Sequence, residues 1–376
     1  MCEREPLPRQ LMMMKSYSNL GFSLYNTKGP ISLITRKIPV NTGSGAIIFK
    51  LKFVLKNKEH YAVAKVHSAT SNSRKIAGLI HEKQVYEFLN TLVDSNICPF
   101  FLRSYIIDVP NINVGNNVLI TESFSAYRFT TMNKFLKSRP TKIKTVKDSV
   151  NFLLMLLYTI EVMYRVGLRH NDMHLNNIFL LHCPSTTYEI KYVARDGRMF
   201  TFFLYDVNYI PLFFDNDRAT KLDPKPYNVT RAVTFHQAHV FTPKSHEAVT
   251  ARFHWHNPQH RTEKLDLYKL MQHIRDTVID TSPLYSIIRN TCYSQKSKIH
   301  CLSSNSNTRR RAVAGLQKSA FRNYHLPLNK KNANGTEIIP HWSGTSEKFF
   351  FLLTKMLKKE RIHQKTTLID MRKLYN

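Results

Sequence analysis

An α+β chain in two lobes is what this sequence predicts: a small β-rich lobe with one helix, then a larger helical lobe. Three observations point there. At 376 residues the chain exceeds the size at which one hydrophobic core usually stops growing. Strand-like runs dominate its first third. Helical spacing takes over after residue 131.

Taken in order, residues 1–30 are mixed in character and read as an N-terminal extension. The small lobe spans 31–121. ISLITRKI, AIIFKLKFVL and HYAVAKV read as strands, with Lys-Asn-Lys-Glu as the turn between the last two. Residues 77–93 have helical spacing, with Leu79, Val85, Tyr86, Leu89 and Leu92 on one side. FLRSYIIDV and NNVLITESF follow as strands. The larger lobe spans 122–376. It opens with a short helix at Thr131–Lys137 and a long apolar one at Thr145–Val166, which Gly167 stops. Strands are predicted at 178–182 and 200–205, and helices at Lys264–Thr277 and Ser346–Arg361. Residues 207–262 have no clear period, and 302–336 read as a basic, flexible insertion. No internal repeat is present.

The formal charge is +29 and the pI about 9.9. Such a surface attracts polyanions, so electrostatic association with nucleic acid or chromatin is an expectation. The aromatics between the basic clusters are not at stacking intervals, which argues against a sequence-reading nucleic-acid module. Five scattered cysteines form no disulfide framework and favour a reducing, intracellular compartment. The N-terminus lacks the apolar core of a signal peptide. The most apolar helical run, Val150 to Tyr164, is too short to span a bilayer and carries Glu161, so no membrane association is expected. The sequence is silent on oligomeric state.

The most informative segment is Leu168-Arg169-His170-Asn171-Asp172-Met173-His174-Leu175-Asn176-Asn177. It holds His-x-Asp with an Asn five residues after the Asp, and it runs into an apolar strand. Phosphoryl transfer needs a carboxylate to orient and deprotonate a hydroxyl, and a nearby amide oxygen to hold a metal ion. A polar loop with Asp and Asn as turn residues would look similar, so the other landmarks matter. Gly43-Ser44-Gly45 sits in a strand turn, where glycines let backbone amides approach phosphates. Ile48 stands where a third glycine is expected, so that loop is degenerate. Lys65 follows Gly45 by 65 − 45 = 20 residues, at the end of an apolar strand, and could reach phosphates. Glu82, on the lobe's helix, would pair with Lys65, since an unpaired buried charge is costly. Glu87 is the alternative. Asp206 ends the apolar run Phe202-Phe203-Leu204-Tyr205, 206 − 172 = 34 residues after Asp172, and suits a Mg²⁺ ligand or a turn cap.

Together these residues resemble the eukaryotic-type protein kinase family across roughly residues 35–280. Within it they look most like haspin and the haspin-like kinases of large DNA viruses. Asp172-Met173-His174-Leu175-Asn176-Asn177 resembles their Asp-Leu-His-x-x-Asn loop. Asp206-Val207-Asn208 departs from Asp-Phe-Gly, as that branch does. Leu265-Asp266-Leu267-Tyr268-Lys269-Leu270-Met271 resembles their helix with Asp-x-Tyr-x-Leu-Met, whose Asp anchors the loop backbone.

The resemblance implies a two-lobed protein-kinase-like fold with a long activation segment at 206–262. It implies ATP with Mg²⁺, Mn²⁺ being the alternative ion, and a protein substrate presenting Ser or Thr. Asp172 would orient the hydroxyl, with His174 beside it. Asn177 and Asp206 would hold metal. Gly43, Gly45, Lys65 and Glu82 would place the phosphates, and Glu122 and Phe124 the adenine, with Thr121 as gatekeeper. His170 would support the loop. Asn171 replaces the arginine that reads a phosphorylated segment, and a neutral amide cannot make that charge-assisted pair. If the protein is viral, host cytoplasm, nucleus or virion are the expected locations. Two other readings stay open. One is a pseudokinase serving as a basic scaffold, the other a small-molecule kinase of the aminoglycoside or choline type. A zinc site among His236, His239, His246, His254, His256 and His260 is disfavoured, because no Cys lies among them and their spacing is irregular.

Overall fold

The computed structural model describes residues 31–38, 47–55, 58–66, 73–105, 118–124, 129–138, 143, 145–170, 172–217, 219–221, 264–278, 282–292, 346–357 and 366–375. Gly43, Gly45, Asn171, the extension 1–30, the His-rich stretch 236–260 and the basic insertion 302–336 lie outside them.

The first part of the chain forms an antiparallel sheet. Its strands are β1 (Ile31–Ile38), β2 (Ile47–Leu55), β3 (Lys58–Val66), β4 (Ser104–Tyr105) and β5 (Val118–Ser123), in the order β1-β2-β3-β5-β4. In β3, Ala62 and Ala64 are buried while Val63 and Lys65 are only partly so, the alternation a one-sided sheet requires. The segment FLRSYIIDV contributes only Ser104–Tyr105 as strand among its described residues. Helix α1 (Ser73–Asp94) runs beside this sheet. Asn90 on α1 donates to the Ser104 carbonyl at 2.8 Å and accepts from the Ser104 N–H at 3.1 Å, fixing helix to sheet.

The second part is organised around α3 (Val146–Arg165), preceded by the short α2 (Met132–Ser138). Nearly every residue of α3 is buried, as expected of a helix apolar all round. Thr145 caps it, accepting from the Asp148 N–H at 3.0 Å and donating to the Asp148 carboxylate at 2.7 Å. Gly167, at φ 73°, takes the left-handed position just beyond its end. Helices α4 (Lys264–Thr277), α5 (Pro283–Cys292) and α6 (Ser346–Thr354) complete the described helices. Helix α6 is shorter than the predicted Ser346–Arg361. No described helix is long and apolar enough to cross a membrane.

The largest departure from expectation is a long hairpin. In place of short strands at 178–182 and 200–205 stand β8 (Ile178–Val193) and β9 (Met199–Phe213), paired antiparallel. Arg195-Asp196-Gly197 closes the hairpin, with Gly197 at φ 86°, the left-handed conformation a three-residue loop demands. The other side of β8 pairs with β6 (Phe129–Thr131) and, in parallel, with β11 (Thr366–Asp370). A two-stranded ladder joins β7 (Leu168–Arg169) to β10 (Thr220–Lys221). Cys98 is a buried free thiol.

Candidate active site

Lys65 ends β3 with its ammonium between two carboxylates. Its Nζ lies 2.8 Å from Glu82 Oε2 on α1 and 3.2 Å from Asp215 Oδ1. Glu82 is 2% exposed, while Glu87 is exposed and takes no part. The reason is helical phase: Glu82 shares the buried side of α1 with Leu79, Val85 and Tyr86, and Glu87 points away.

The carboxylate that meets Lys65 is Asp215, not Asp206. Both follow an apolar strand stretch, and strand length decides between them. The end of β9 at Phe213 pairs with the start of β8 at Ile178, so the residues just beyond Phe213 lie beside Asn177. Asp206 sits near Thr186, eight residues farther along β8, or roughly 25 Å at ~3.3 Å per residue. There it occupies a bulge at φ 53°. Its carboxylate binds Lys147 at 2.7 Å and Ser185 at 3.1 Å, and Asn151 donates to the Tyr205 carbonyl at 2.9 Å. Asp206 therefore shapes a bulge away from Lys65 and the His170–Asn177 loop, so it does not stand where a metal ligand of that cluster was expected; Asp215 does.

Asp215 is fixed from several sides. The segment Phe100–Leu102 pairs with the end of β9: Leu102 N–H donates to the Phe213 carbonyl and Phe213 N–H to the Phe100 carbonyl, both at 2.9 Å. Phe214 N–H donates to the Asn177 carbonyl at 3.1 Å, and the Phe214 carbonyl is 2.8 Å from His170 Nε2. Asp215 itself adopts φ 60°, an uncommon state for a residue with a Cβ.

The His170–Asn177 loop is held to the same place. Asp266 on α4 accepts from the His170 N–H at 2.9 Å. Asn177, 4% exposed, donates its side-chain amide to the Asp172 carbonyl at 3.1 Å. Its amide oxygen is thereby the atom left for a cation. Asp172 is half-buried, with His174 Nε2 3.7 Å from its carboxylate. Lys65 thus touches Asp215 directly, and the loop that carries Asp172, His174 and Asn177 is tied through Asn177 to Phe214, the residue before Asp215. Glu122 is buried on β5, its carboxylate accepting from the Arg103 N–H at 2.8 Å.

The electrostatics are unbalanced. Burial disfavours a charged Lys65, but Glu82, Asp215 and Asp217 outweigh it and hold the ammonium well above its ordinary range. Burial pushes the Glu82 carboxyl up to about 7, against the pull of Lys65 and with the two aspartates adding to the rise. Burial also opposes the ionised Asp215, yet Lys65, His170 and His174 bring it below the usual carboxylate range. Two carboxylates thus contact one ammonium, with Asp217 adding to the negative field around it. Among the described residues no three His, Cys, Asp or Glu side chains converge into a metal cage.

The sequence reading also missed an aromatic column. Phe179 on β8 stacks on Phe129 at 4.1 Å and on Phe214 at 3.9 Å, and Phe129 contacts Phe124 at 5.2 Å. All four rings are partly exposed. They run from the end of β5 to the residue before Asp215. The only sequence signal was Phe at each position.

No protein-family model and no curated protein sequence matches the chain. Among solved structures, one described as the crystal structure of Rad53 kinase domain and SCD2 is similar to it. That similarity covers 87% of this chain and 98% of that one, at 12% identity and a TM-score of 0.37.

Proposed function

We propose that the chain is an ATP-dependent protein kinase with a divergent two-lobed kinase fold, transferring the γ-phosphate to Ser or Thr hydroxyls of a protein substrate. The observation that carries this reading is Lys65 Nζ held at 2.8 Å by Glu82 and 3.2 Å by Asp215, beside the Asp172–Asn177 loop. A lysine so fixed presents its charge to phosphate oxygens. Asp172 accepts the proton of the substrate hydroxyl as its oxygen bonds to the γ-phosphorus and ADP leaves. Asp215 and the Asn177 amide oxygen are the groups that would hold Mg²⁺, whose charge offsets that of the phosphates. The surplus of carboxylates around Lys65 fits a cation there. Glu122 and Phe124, at the end of β5, would flank the adenine, with the Phe179 column as a stacking surface. His174 in the loop and the absence of Asp-Phe-Gly support placing the protein in the haspin-like branch. The charge of +29 supports electrostatic contact with nucleic acid or chromatin, which would weaken as salt rises.

A radiolabelled-ATP assay on histone, casein and basic-protein mixtures tests the activity. Asp172→Ala and Lys65→Ala should each lower labelling on the order of 10²–10⁴-fold. Equal labelling by all three proteins would exclude catalysis and leave the scaffold reading. Labelling of aminoglycosides or choline without labelling of protein would identify a small-molecule kinase.

A further inference from the structure

One turn of α1 reaches Asp215 twice. Glu82 binds Lys65, and Lys65 binds the Asp215 carboxylate. Four residues along the helix, on the same face, the phenol oxygen of Tyr86 lies 3.2 Å from the Asp215 backbone N–H and accepts its hydrogen bond. Glu82, Lys65, Asp215 and Tyr86 therefore close a ring through the helix backbone. The neighbouring backbone groups are taken by the other part of the molecule, Phe214 N–H by Asn177 and Phe214 C=O by His170. Asn216, the next residue, is 1% exposed, and neither atom of its side-chain amide makes a hydrogen bond. The side chain following Asp215 thus contributes no polar anchor. Tyr86 is also 1% exposed, so its ring is fixed by packing and its hydroxyl cannot wander.

We propose that Tyr86 is a positioning residue for phosphoryl transfer: its hydroxyl holds Asp215 in the left-handed conformation and couples the seating of α1 to the aim of the Asp215 carboxylate. The role in transfer rests on the kinase reading; the clamp itself does not. Lys65 tethers the carboxylate by one oxygen, and His170 holds the preceding peptide by its carbonyl; Tyr86 is the contact that joins the Asp215 N–H to α1. A carboxylate displaced by about 1 Å loses on the order of 10²-fold in rate.

Tyr86→Phe removes the hydroxyl and keeps the ring. Hydrogen exchange should show the Asp215 amide released by about tenfold or more, the loss of one hydrogen bond, with the amides of α1 and β9 unchanged. In the kinase assay kcat should fall about 10–100-fold with the KM for ATP within about twofold. Unchanged exchange and unchanged kcat would overturn the proposal. So would a kcat loss accompanied by collapse of the melting transition, which would assign Tyr86 to core packing. If the wild-type protein transfers no phosphate, the kinase reading fails on its own, while exchange at Asp215 still decides whether Tyr86 clamps it.

Discussion

Two buried ionic clusters in this molecule are built to opposite rules. Around α3, Glu161 and Glu347 face Arg165 and Arg195, two charges of each sign. Glu161 accepts from Arg165 at 2.8 Å, from two nitrogens of Arg195 at 3.0 and 2.6 Å, and from Ser346 at 2.5 Å. Glu347 accepts from the Arg195 N–H at 2.6 Å, and Tyr375 binds Arg165. Burial opposes the charge on Glu161, but the two arginines hold it below the usual carboxylate range. This cluster is closed: each charge is met by another within the protein. At Lys65 two carboxylates contact one ammonium, and burial leaves Glu82 at about 7. A folded protein retains such an imbalance at a cost in stability, which fits the proposal that the second cluster serves a ligand while the first ties elements together.

The comparison can be broken most directly at Asp215. Asp215→Asn should lower phosphoryl transfer on the order of 10²–10⁴-fold, yet leave the melting temperature unchanged or raised, because it relieves the excess of negative charge. A folded variant with full activity would remove Asp215 from the site. Next in size is Glu161→Ala, which strands two buried guanidinium groups. It should destabilise the protein by about 3–5 kcal/mol in chemical denaturation; a loss under about 1 kcal/mol would show that the closed cluster ties nothing.

Two buried glutamates, one in each cluster, should respond to pH with opposite sign. Glu82 has a folded value of about 7 against 4.5 unfolded. Its contribution is fully present below the unfolded value and disappears as pH rises through 7. Glu161 is depressed, so its contribution is present above its unfolded value and is lost as pH falls through the folded one. Glu82→Gln should flatten the fall in stability between pH 4.5 and 7 by on the order of 1–3 kcal/mol. Glu161→Gln should affect only the acid limb. Melting curves across pH 3–8 would show matching slopes if the clusters are equivalent. The smallest effect belongs to Asp206→Asn. Its pair with Lys147 is exposed, so stability should change by less than about 1 kcal/mol and phosphoryl transfer by less than about twofold.

Legibility in the sequence followed the distance over which contacts form. The His170–Asn177 loop packs its candidate groups into eight residues, so its spacing singled it out, and the other landmarks then separated it from a polar turn. Lys65 with Glu82 was legible because an ionised group on an apolar element needs a partner, whereas Asp266 came only through the resemblance, which has that Asp anchor the loop backbone. Asp215 was missed because two apolar stretches each end in Asp, and strand length is not encoded in alternation when both faces are partly covered. The β9 pattern runs through Asp206 because a bulge, held by Lys147, Ser185 and Asn151, absorbs it. The closed cluster was invisible for a different reason. Glu161 and Arg165 are neighbours on one helix, but Arg195 and Glu347 come from 34 and 182 residues away. No local pattern announces such a meeting.

The parallel pairing of β11 with β8 bears on how the protein is made. Thr366–Asp370 lies alongside Thr187–Lys191, Asp370 N–H donates to the Asn96 carbonyl at 2.9 Å, and Lys373 donates to the Ser95 carbonyl at 2.9 Å. A ribosome must therefore reach the end of this strand before one edge of β8 and the turn after α1 are covered. Until then that edge offers unpaired N–H and C=O groups, the kind of surface that recruits chaperones or pairs with a neighbouring nascent chain. A premature stop before residue 366 would leave this edge of β8 uncovered and the chain an adhesive intermediate.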